Sequence, residues 1–448
     1  APDYAAAHGF ARRGRVGAAA ADRTARSMNV VVFEDRSVAR LGVVVAARPA
    51  CDLTIGGHTL VELLGHVGPV RRVVRPHLAR HLADLTGGRI AIWGGAADAH
   101  PAPPASTHGA LTLLVNARLV PSRSHLVALR TLVEAGRRCV VRSGRDVAAA
   151  ILHPAADGRG PDRGVLDALA TRGGDAVDDL DALALQEHDA ALTLLGQPHE
   201  VVSAHETELA DSLALRIDGG GYAEIRPGLF VAAGATVAEW VVVRRGPVVV
   251  ERGAEIGPLV CLDGPVWIGP EARVNPHAWL RAGTAIGRGC RVGGEVEASV
   301  MEPFSNKPHD GYLGHSHIGS WTNLAAGTIT GNLKATYGPV RLHDVLPDGR
   351  RVTIDTGRQF LGALVGDFVK SAVNTSLPCG CRIGVAATIG GSPPETVPAF
   401  HNMLLGGPGG SRSSAEQAAT TLERMMARRG LEMQPADRDL LDALAKRG

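Results

Sequence analysis

Aromatic side chains are scarce in this chain of 448 residues: seven Phe, five Trp and four Tyr, 4% in all. So few rings exclude a thick aromatic core and suit a narrow interior filled by small aliphatics. A net charge of +2 leaves no broad field of one sign, so neither nucleic acid nor a membrane surface is expected as partner. Arg71-Arg72 and Arg137-Arg138 then read as solvated faces. No apolar run reaches the length of a membrane span, and the N-terminus lacks the apolar core of a signal peptide. The six cysteines (Cys51, Cys139, Cys261, Cys290, Cys379 and Cys381) are scattered, and Cys379-Gly380-Cys381 is too tight for zinc-ligand spacing. Reduced thiols in a cytoplasmic protein are expected from that pattern.

Glycine (56) and proline (27) are plentiful instead. From Val250 an aliphatic stands at every sixth position: Ile256, Leu262, Ile268, Val274, Leu280, Ile286 and Val292. A period of six fits neither a helix nor an ordinary strand, whose apolar periods are 3.6 and 2. It fits a β-solenoid in which each hexad forms one side of a prism and points its aliphatic inward. Gly-Pro or Gly after Ile256, Ile268 and Ile286 lets the backbone turn each corner. The frame runs upstream, one residue out of phase, at Val231, Val237, Val243 and Val249. It returns at Ile318, Leu324, Val365, Leu377, Ile383 and Ile389.

Four segments follow. Residues 1–27, Ala- and Arg-rich, are expected to be a disordered extension. Residues 28–215 alternate strand-like runs (30–33, 43–46, 90–93, 111–115) with helical stretches (60–64, 78–85, 126–135, 165–195 and 204–213), which predicts a layered α/β domain with a mostly parallel sheet. Asp218-Gly219-Gly220-Gly221 reads as a hinge. The solenoid is expected over 216–395, interrupted at 302–311 and by an insertion at 342–352 whose Pro347-Asp348-Gly349 tip is a turn. Residues 396–448 read as a Gly-rich linker and two short helices, with an N-cap at Ser413-Ser414.

Chemistry-bearing residues concentrate in the stretch 305–319, which holds Lys307, His309, Asp310, Tyr312, His315 and His317. His309 reads either as a general base, since a neutral imidazole titrates near ~6.5, or as a hydrogen-bonded loop histidine. His315 and His317 form an H-x-H pair without a third ligand in view, so outward-facing polar residues, possible at a subunit contact, outweigh a metal site. Asn323 and Asn332 read as a ladder along parallel coils or as ligand contacts; Lys334 fits the ladder less well. In the first domain, Glu34-Asp35-Arg36 follows the first strand, where α/β domains bind ligands. Arg48-Pro49 offers a phosphate contact, although no glycine-rich phosphate loop is present.

These residues carry a resemblance. The solenoid resembles the left-handed β-helix of hexapeptide acyltransferases. The two-domain arrangement resembles the bifunctional N-acetylglucosamine-1-phosphate uridyltransferase/glucosamine-1-phosphate acetyltransferase, and still more a divergent sugar nucleotidyltransferase group related to it. The motifs are Phe33-Glu34-Asp35, Ala47-Arg48-Pro49, residues 114–121, Gly293-Gly294-Glu295-Val296-Glu297, residues 305–319, Asn332-Leu333-Lys334 and Asp355-Thr356-Gly357. The resemblance implies an α/β nucleotidyltransferase-like domain, then a left-handed parallel β-helix and a short helical C-terminal tail. It places His309 as the general base of acyl transfer. Lys307, Tyr312, Asn323, Asn332 and Lys334 fall where substrate is bound, and Ala326 and Lys370 fall beside acyl-CoA. Glu34, Asp35, Arg48 and Arg118 are expected around nucleotide and phosphate, with Mg2+ for nucleotidyl transfer and acetyl-CoA or another acyl-CoA as co-substrate. Nucleoside triphosphate and sugar phosphate are the implied substrates, and a homotrimer the implied assembly. A nucleotide- or sugar-phosphate-binding trimer without catalysis is the second reading. Departures from the pattern are Ala325-Ala326-Gly327, Leu333, Ala363, and Glu297 where a substrate-binding lysine is usual.

Overall fold

The computed structural model describes residues 28–86, 92–93, 111–153, 161–345, 351–406 and 409–447. The expected extension at 1–27 and the 347–349 turn lie outside them.

The first unit is built on a mixed sheet. Strand β1 (Met28–Phe33) pairs in parallel with β2 (Val70–Val73) and with β4 (Leu111–Asn116), and β3 (Ile92–Trp93) extends the β2 edge. Beyond β4, the hairpin β5 (Cys139–Ser143)–β6 (Asp146–Leu152) runs antiparallel through β6, and β7 (Gln186–Glu187) closes the far edge. Strand order is β3-β2-β1-β4-β6-β5-β7. Alternate residues of β1 feed opposite layers: Val30 and Val32 join one apolar cluster, Val31 and Phe33 another. A strand buried on both sides reads as a continuous aliphatic run for that reason. Helices α1 (Leu60–Leu64), α2 (Pro76–Thr86), α3 (Arg123–Ala135), α4 (Pro161–Arg172) and α5 (Glu200–Asp218) flank the sheet or lead out of it.

Two expectations about this unit change. Residues 43–46 are not a strand. They end a 3-10 run, Arg36–Val45, in which Val38, Leu41 and Val44 are buried at a spacing of three. Gly42, at φ of +54°, kinks this segment into two short 3-10 pieces, which a short apolar run cannot reveal. The helical reading of 165–195 also fails beyond Arg172, because Gly173 takes a φ of +69° and starts a second 3-10 run, Gly173–Leu183.

After α5, Gly220 and Gly221 adopt φ of +81° and +92°, and the chain enters the solenoid at the expected hinge. Three ladders of short parallel strands form the prism. Face one climbs through Leu229–Ala232, Val248–Val250, Val266–Ile268, Thr284–Ile286, Val300–Met301, His317–Ile318, Leu364–Val365, Arg382–Ile383 and Thr396–Val397. Face two includes Glu255–Ile256, Arg273–Val274, Arg291–Val292 and Asn306–Lys307, and face three includes Cys261–Asp263, Trp279–Leu280, Glu295–Glu297 and Tyr312–Gly314. The predicted aliphatics from Ile256 to Val292 all lie in the interior cluster, as do Ile318, Leu324, Val365, Leu377, Ile383 and Ile389.

The phase slip has a structural cause. Between Val243 and Arg245 the register against Leu262 and Asp263 skips a residue, so Arg244 is a bulge. Everything after it shifts by one. Val250 therefore points inward, while Val249 is buried outside the prism with Trp267 and Ala285, against Leu209 and Leu213 of α5.

The wall also persists further than expected near residue 302. Asn306–Lys307 pairs in register with Arg291–Val292, and only the following few residues loop out. The larger excursion comes after Thr330, where a hairpin of Arg341–Val345 and Arg351–Asp355 leaves the prism. Val340 and Leu342 bury themselves in the first unit's core.

At one corner Phe304, Trp321, Phe368 and Phe400 all take positive φ, and Phe304 stacks on Trp321 with ring centroids 4.6 Å apart. The tail helices α6 (Ala415–Ala427) and α7 (Pro435–Ala445) cover this corner and join it to Leu78 and Leu82 of α2 in a single apolar cluster. Ser414 caps α6 through a reciprocal capping box with Gln417.

Candidate functional sites

The C-terminal end of β1 presents Glu34 and Asp35, and both carboxylates are closed. Glu34 accepts from the Arg75 guanidinium at 3.0 Å and from the backbone N–H groups of Ala50 and Arg75 at 3.0 and 2.9 Å. Asp35 is gripped by Arg118, Nε to Oδ1 at 2.8 Å and Nη2 to Oδ2 at 2.6 Å, and by Asn116 at 2.8 Å. Arg118 also reaches Asp146 at 2.6 Å and the carbonyl of Leu195 at 2.6 Å, which leaves almost none of its fork free. Burial would lower its pKa, but the bonds and charges of Asp35 and Asp146 outweigh that and raise it. Gly174 lies so close over Glu34 that a Cβ there would sit 1.5 Å from the Glu34 carbonyl oxygen.

The expected roles of Glu34, Asp35 and Arg118 therefore change. A metal ligand needs a free lone pair directed at the ion, and these oxygens are spent on arginines. Among the described residues no group of three or more His, Cys, Asp or Glu could hold a metal. The donor set does not fit a protein-held Mg2+.

Arg48 also differs from expectation. Its side chain leaves the crest and crosses to the solenoid, where it meets Glu302 at 3.0 Å, Ser320 at 2.7 Å, and Asp367. Glu302 is 0% exposed. It also accepts from the Thr54 N–H at 2.9 Å and hydroxyl at 2.8 Å, and contacts His317 at 3.1 Å. Burial alone would raise its pKa, but Arg48, His317 and the Thr54 N–H bring it down to about 2. Arg48 borders a cleft of about 790 Å³ where the first unit, solenoid and tail meet, with Trp321, Phe368 and Met426 among its walls. That volume lies in the range of small-molecule sites.

On the solenoid the expected acyl-transfer residues divide between two faces. Lys307 belongs to neither. It occupies the inward position of face two, in register with Val292, and is 1% exposed. Its ammonium donates to the carbonyls of Gly293 at 3.0 Å and His309 at 3.1 Å, and burial lowers its pKa to about 8. A cation held inside the prism cannot reach substrate, so its expected binding role is corrected. It ties down the loop that carries His309.

His309 is exposed, and its imidazole makes no hydrogen bond with a described residue. Three residues on, the Tyr312 hydroxyl donates to Glu297 at 2.8 Å and accepts from the Asn332 amide at 2.8 Å. Burial, then the Glu297 carboxylate, raises the phenol's pKa. Lys334 is half-buried, and its ammonium forms no hydrogen bond or ion pair with a described residue. Tyr312 and Asn332 are thus joined on the face-three side.

His315 and His317 part company, because His315 sits at a corner with φ of +49°. It joins Asn332 at 3.0 Å, while His317 is sealed against Glu302. Neither is outward-facing in the sense expected for an H-x-H pair.

On face two, Asn323 bridges the strands of Asn306 and Lys370, the ladder arrangement. Lys370 donates to the carbonyls of Trp321 at 3.1 Å and Phe368 at 2.7 Å, and burial lowers its pKa to about 7. Helix α6 lies against this face: Lys370, Thr388 and Asn402 line a crevice with Gln417, Thr421 and Arg424, and Arg429 donates to Asn306 at 2.6 Å. Ala326 accepts the Asn374 N–H at 2.9 Å. The structure thus separates Ala326, Asn323 and Lys370 from the Tyr312 group.

Comparison with known families bears on the first unit. Residues 30–219 match the family model described as sugar nucleotidyl transferase. That segment is similar to a sugar nucleotidyl transferase domain. Part of the chain is also similar to curated bifunctional proteins. A "bifunctional sugar-1-phosphate nucleotidylyltransferase/acetyltransferase" of Sulfurisphaera tokodaii is 33% identical over 147 residues, 32% of this chain and 35% of that protein. The "bifunctional protein GlmU" of Bifidobacterium animalis is 30% identical over 182 residues, 39% of this chain and 37% of that one. The matches span about a third of the length of these curated relatives. Among solved structures, a mutant of AntD, an N-acyltransferase from Bacillus cereus in complex with dTDP and coenzyme A, aligns at 14% identity over 44% of this chain and 91% of its own. Its TM-score of 0.21 carries no argument. The solenoid rests on this chain's own ladders.

Residues that sequence reasoning missed are Glu206, Arg281, Arg358 and Phe360, which surround the Tyr312 group. No spacing signal links them, because they come from α5, an earlier coil and the return of the hairpin.

Proposed function

We propose that this protein is a transferase of nucleotide-sugar and amino-sugar metabolism in which the solenoid moves an acyl group from acyl-CoA to a sugar phosphate or nucleotide sugar. The observation that carries the reading is the phenol of Tyr312, held from both sides by Glu297 and Asn332 three residues after the exposed His309. His309 takes the proton as the acceptor's amine or hydroxyl attacks the thioester carbonyl; the new C–N or C–O bond forms, the C–S bond breaks, and the CoA thiolate leaves with a proton returned by the imidazolium. Backbone N–H groups would stabilise the oxyanion. Tyr312, Asn332 and Lys334 contact the acceptor, with Asn323, Ala326 and Lys370 on the acyl-CoA side.

For the first unit the reading is binding of a nucleoside triphosphate and a sugar-1-phosphate, whose phosphate oxygen attacks the α-phosphorus as the bond to the β-phosphate breaks and pyrophosphate leaves. No step is routed through a protein-held Mg2+, because Glu34 and Asp35 are closed. A homotrimer is part of the proposal. Face one is covered by α5 and face two by α6, whereas face three exposes Val242 and Ile329 to a neighbouring prism. Six free cysteines support a cytoplasmic setting.

The test is thiol release from acyl-CoA with a panel of amino-sugar phosphates and nucleotide sugars, run beside pyrophosphate release from nucleoside triphosphates. Loss of thiol release in His309→Ala by about 100-fold or more, at unchanged melting temperature, is expected. Full activity of that variant would end the acyl-transfer reading, and a monomer in equilibrium sedimentation would end the trimer.

A further inference from the structure

A continuous chain of polar contacts leads from face three of the solenoid into the first unit. Arg281 donates to Glu297 at 2.9 Å, and Glu297 accepts from the Tyr312 hydroxyl at 2.8 Å. The Asn332 amide nitrogen lies 2.8 Å from the Tyr312 oxygen and 3.0 Å from His315 Nδ1. His315 Nε2 lies 3.5 Å from Glu206 of α5, which is held at 2.6 Å by Arg358. Arg358 in turn donates to Ser203, one turn earlier on α5, at 2.9 Å. Phe360 stacks on the His315 ring, centroids 5.3 Å apart.

The protons along this chain are fixed by what each group can do. The Tyr312 hydroxyl has one hydrogen, and it goes to the carboxylate of Glu297, an obligate acceptor. The phenolic oxygen must then accept, so an N–H of Asn332 points at it. The second N–H of the same amide points at His315 Nδ1, which must be the lone-pair nitrogen. Burial, with Arg358 and Arg281 nearby, lowers the imidazole's pKa to about 4, so at neutral pH the ring is uncharged. Its single N–H then sits on Nε2 and faces Glu206. Reversing any one contact would set two donors or two acceptors against each other. The chain therefore has one low-energy arrangement, and Glu206 terminates it.

The Arg358 ion pair does not fully offset the cost of burying Glu206. Burial raises its pKa, and Arg358 only partly reverses that. A half-buried carboxylate that costs free energy to desolvate is retained where it orders something else.

We propose that Glu206, on the last helix of the first unit, is a positioning residue for acyl transfer in the solenoid, fixing the Tyr312 phenol through His315 and Asn332. The inference rests on the acyl-transfer reading given above and adds that the two domains share one site. Separation of the solenoid from α5 leaves the His315 N–H unmatched and releases the amide of Asn332 to rotate.

The test combines kinetics with a probe that needs no turnover. The full-length protein is labelled with 3-fluorotyrosine, which gives four 19F resonances for its four tyrosines, and Tyr312→Phe assigns one of them. Glu206→Ala and Asn332→Asp are expected to shift or broaden that resonance and leave the other three in place. In the thiol-release assay, both variants are expected to raise the acceptor KM by about tenfold with kcat changed less than about threefold, the split of a lost ground-state contact. Glu206→Ala changes far from acyl-CoA, so the acyl-CoA KM stays at the wild-type value. An unmoved Tyr312 resonance in Glu206→Ala overturns the proposal. A shifted resonance with an unchanged acceptor KM also overturns it, since the contact then has no bearing on binding. A resonance that shifts in both variants, with wild-type protein that releases no thiol with any acceptor, refutes the acyl-transfer reading and, with it, the positioning role, while showing that the relay itself exists.

Discussion

The guanidinium of Arg48 stands 3.0 Å from the carboxylate of Glu302, and this contact fastens the loop after the first 3-10 run to the wall of the solenoid. Both partners are buried, and Thr54, Asp367, Ser320 and His317 satisfy the remaining lone pairs and protons. Removing one partner should be far more damaging than the pair's net worth, because a desolvated charge is left behind. Glu302→Ala is expected to destabilise the protein by about 3–5 kcal/mol in urea denaturation.

The same carboxylate makes an acid-sensitive joint. Its folded pKa of about 2 lies below the ordinary 4.5, so its contribution is complete above the ordinary value and fades as pH falls toward the folded one. Urea midpoints at pH 7, 4.5 and 3 should drop more for the wild type than for Glu302→Gln. Parallel curves would refute the assignment.

Lys307 titrates in the opposite window. Burial lowers its folded pKa from 10.5 to about 8, so between those values the unfolded chain holds a proton the folded chain lacks, and stability rises with pH. Lys307→Met, which fills the same interior space, should flatten that rise. It should also leave the acceptor KM within about twofold of wild type, as no uniform binding contact is lost. A large rise in KM would return the residue to the binding site.

Arg118 is expected to behave as structure. Arg118→Ala strands Asp35 and Asp146 near each other and should cost about 3–5 kcal/mol. The double variant Arg118→Met, Asp35→Asn should recover part of that loss, since neither charge remains. Titration with Mg2+ in the absence of nucleotide should give no binding heat. Heat at micromolar Mg2+ that vanishes in Asp35→Asn would show that the carboxylate opens.

Much of the solenoid was legible because inward positions admit few side chains: Ile256 through Val292 kept the period without exception. A second regularity was also present but unread, a small residue two places before four of the seven aliphatics, Ala254, Ala272, Ala278 and Cys290, all of them interior. Arg244 hid the phase slip, since a bulge is a backbone event with no fixed composition. Lys307 misled because a lysine among histidines suggests a ligand contact, whereas the two carbonyls that hold it come from turns no spacing rule reveals. The N-terminal acids and Arg118 were read as nucleotide contacts, whereas Arg118 pairs with Asp35 across 83 positions, which is a property of the sheet order. Glu206 was invisible for the same reason.

Helices α6 and α7 lie between α2 and the aromatic corner of the prism. On a ribosome the chain emerges from its N-terminus, so Leu78 and Leu82 are made hundreds of residues before Leu440 and Leu441, which cover them. The first unit therefore spends most of its synthesis with an uncovered oily strip, a landing place for chaperones. The first unit's apolar surface at α2 is thus finished only when residues 415–445 fold back onto it.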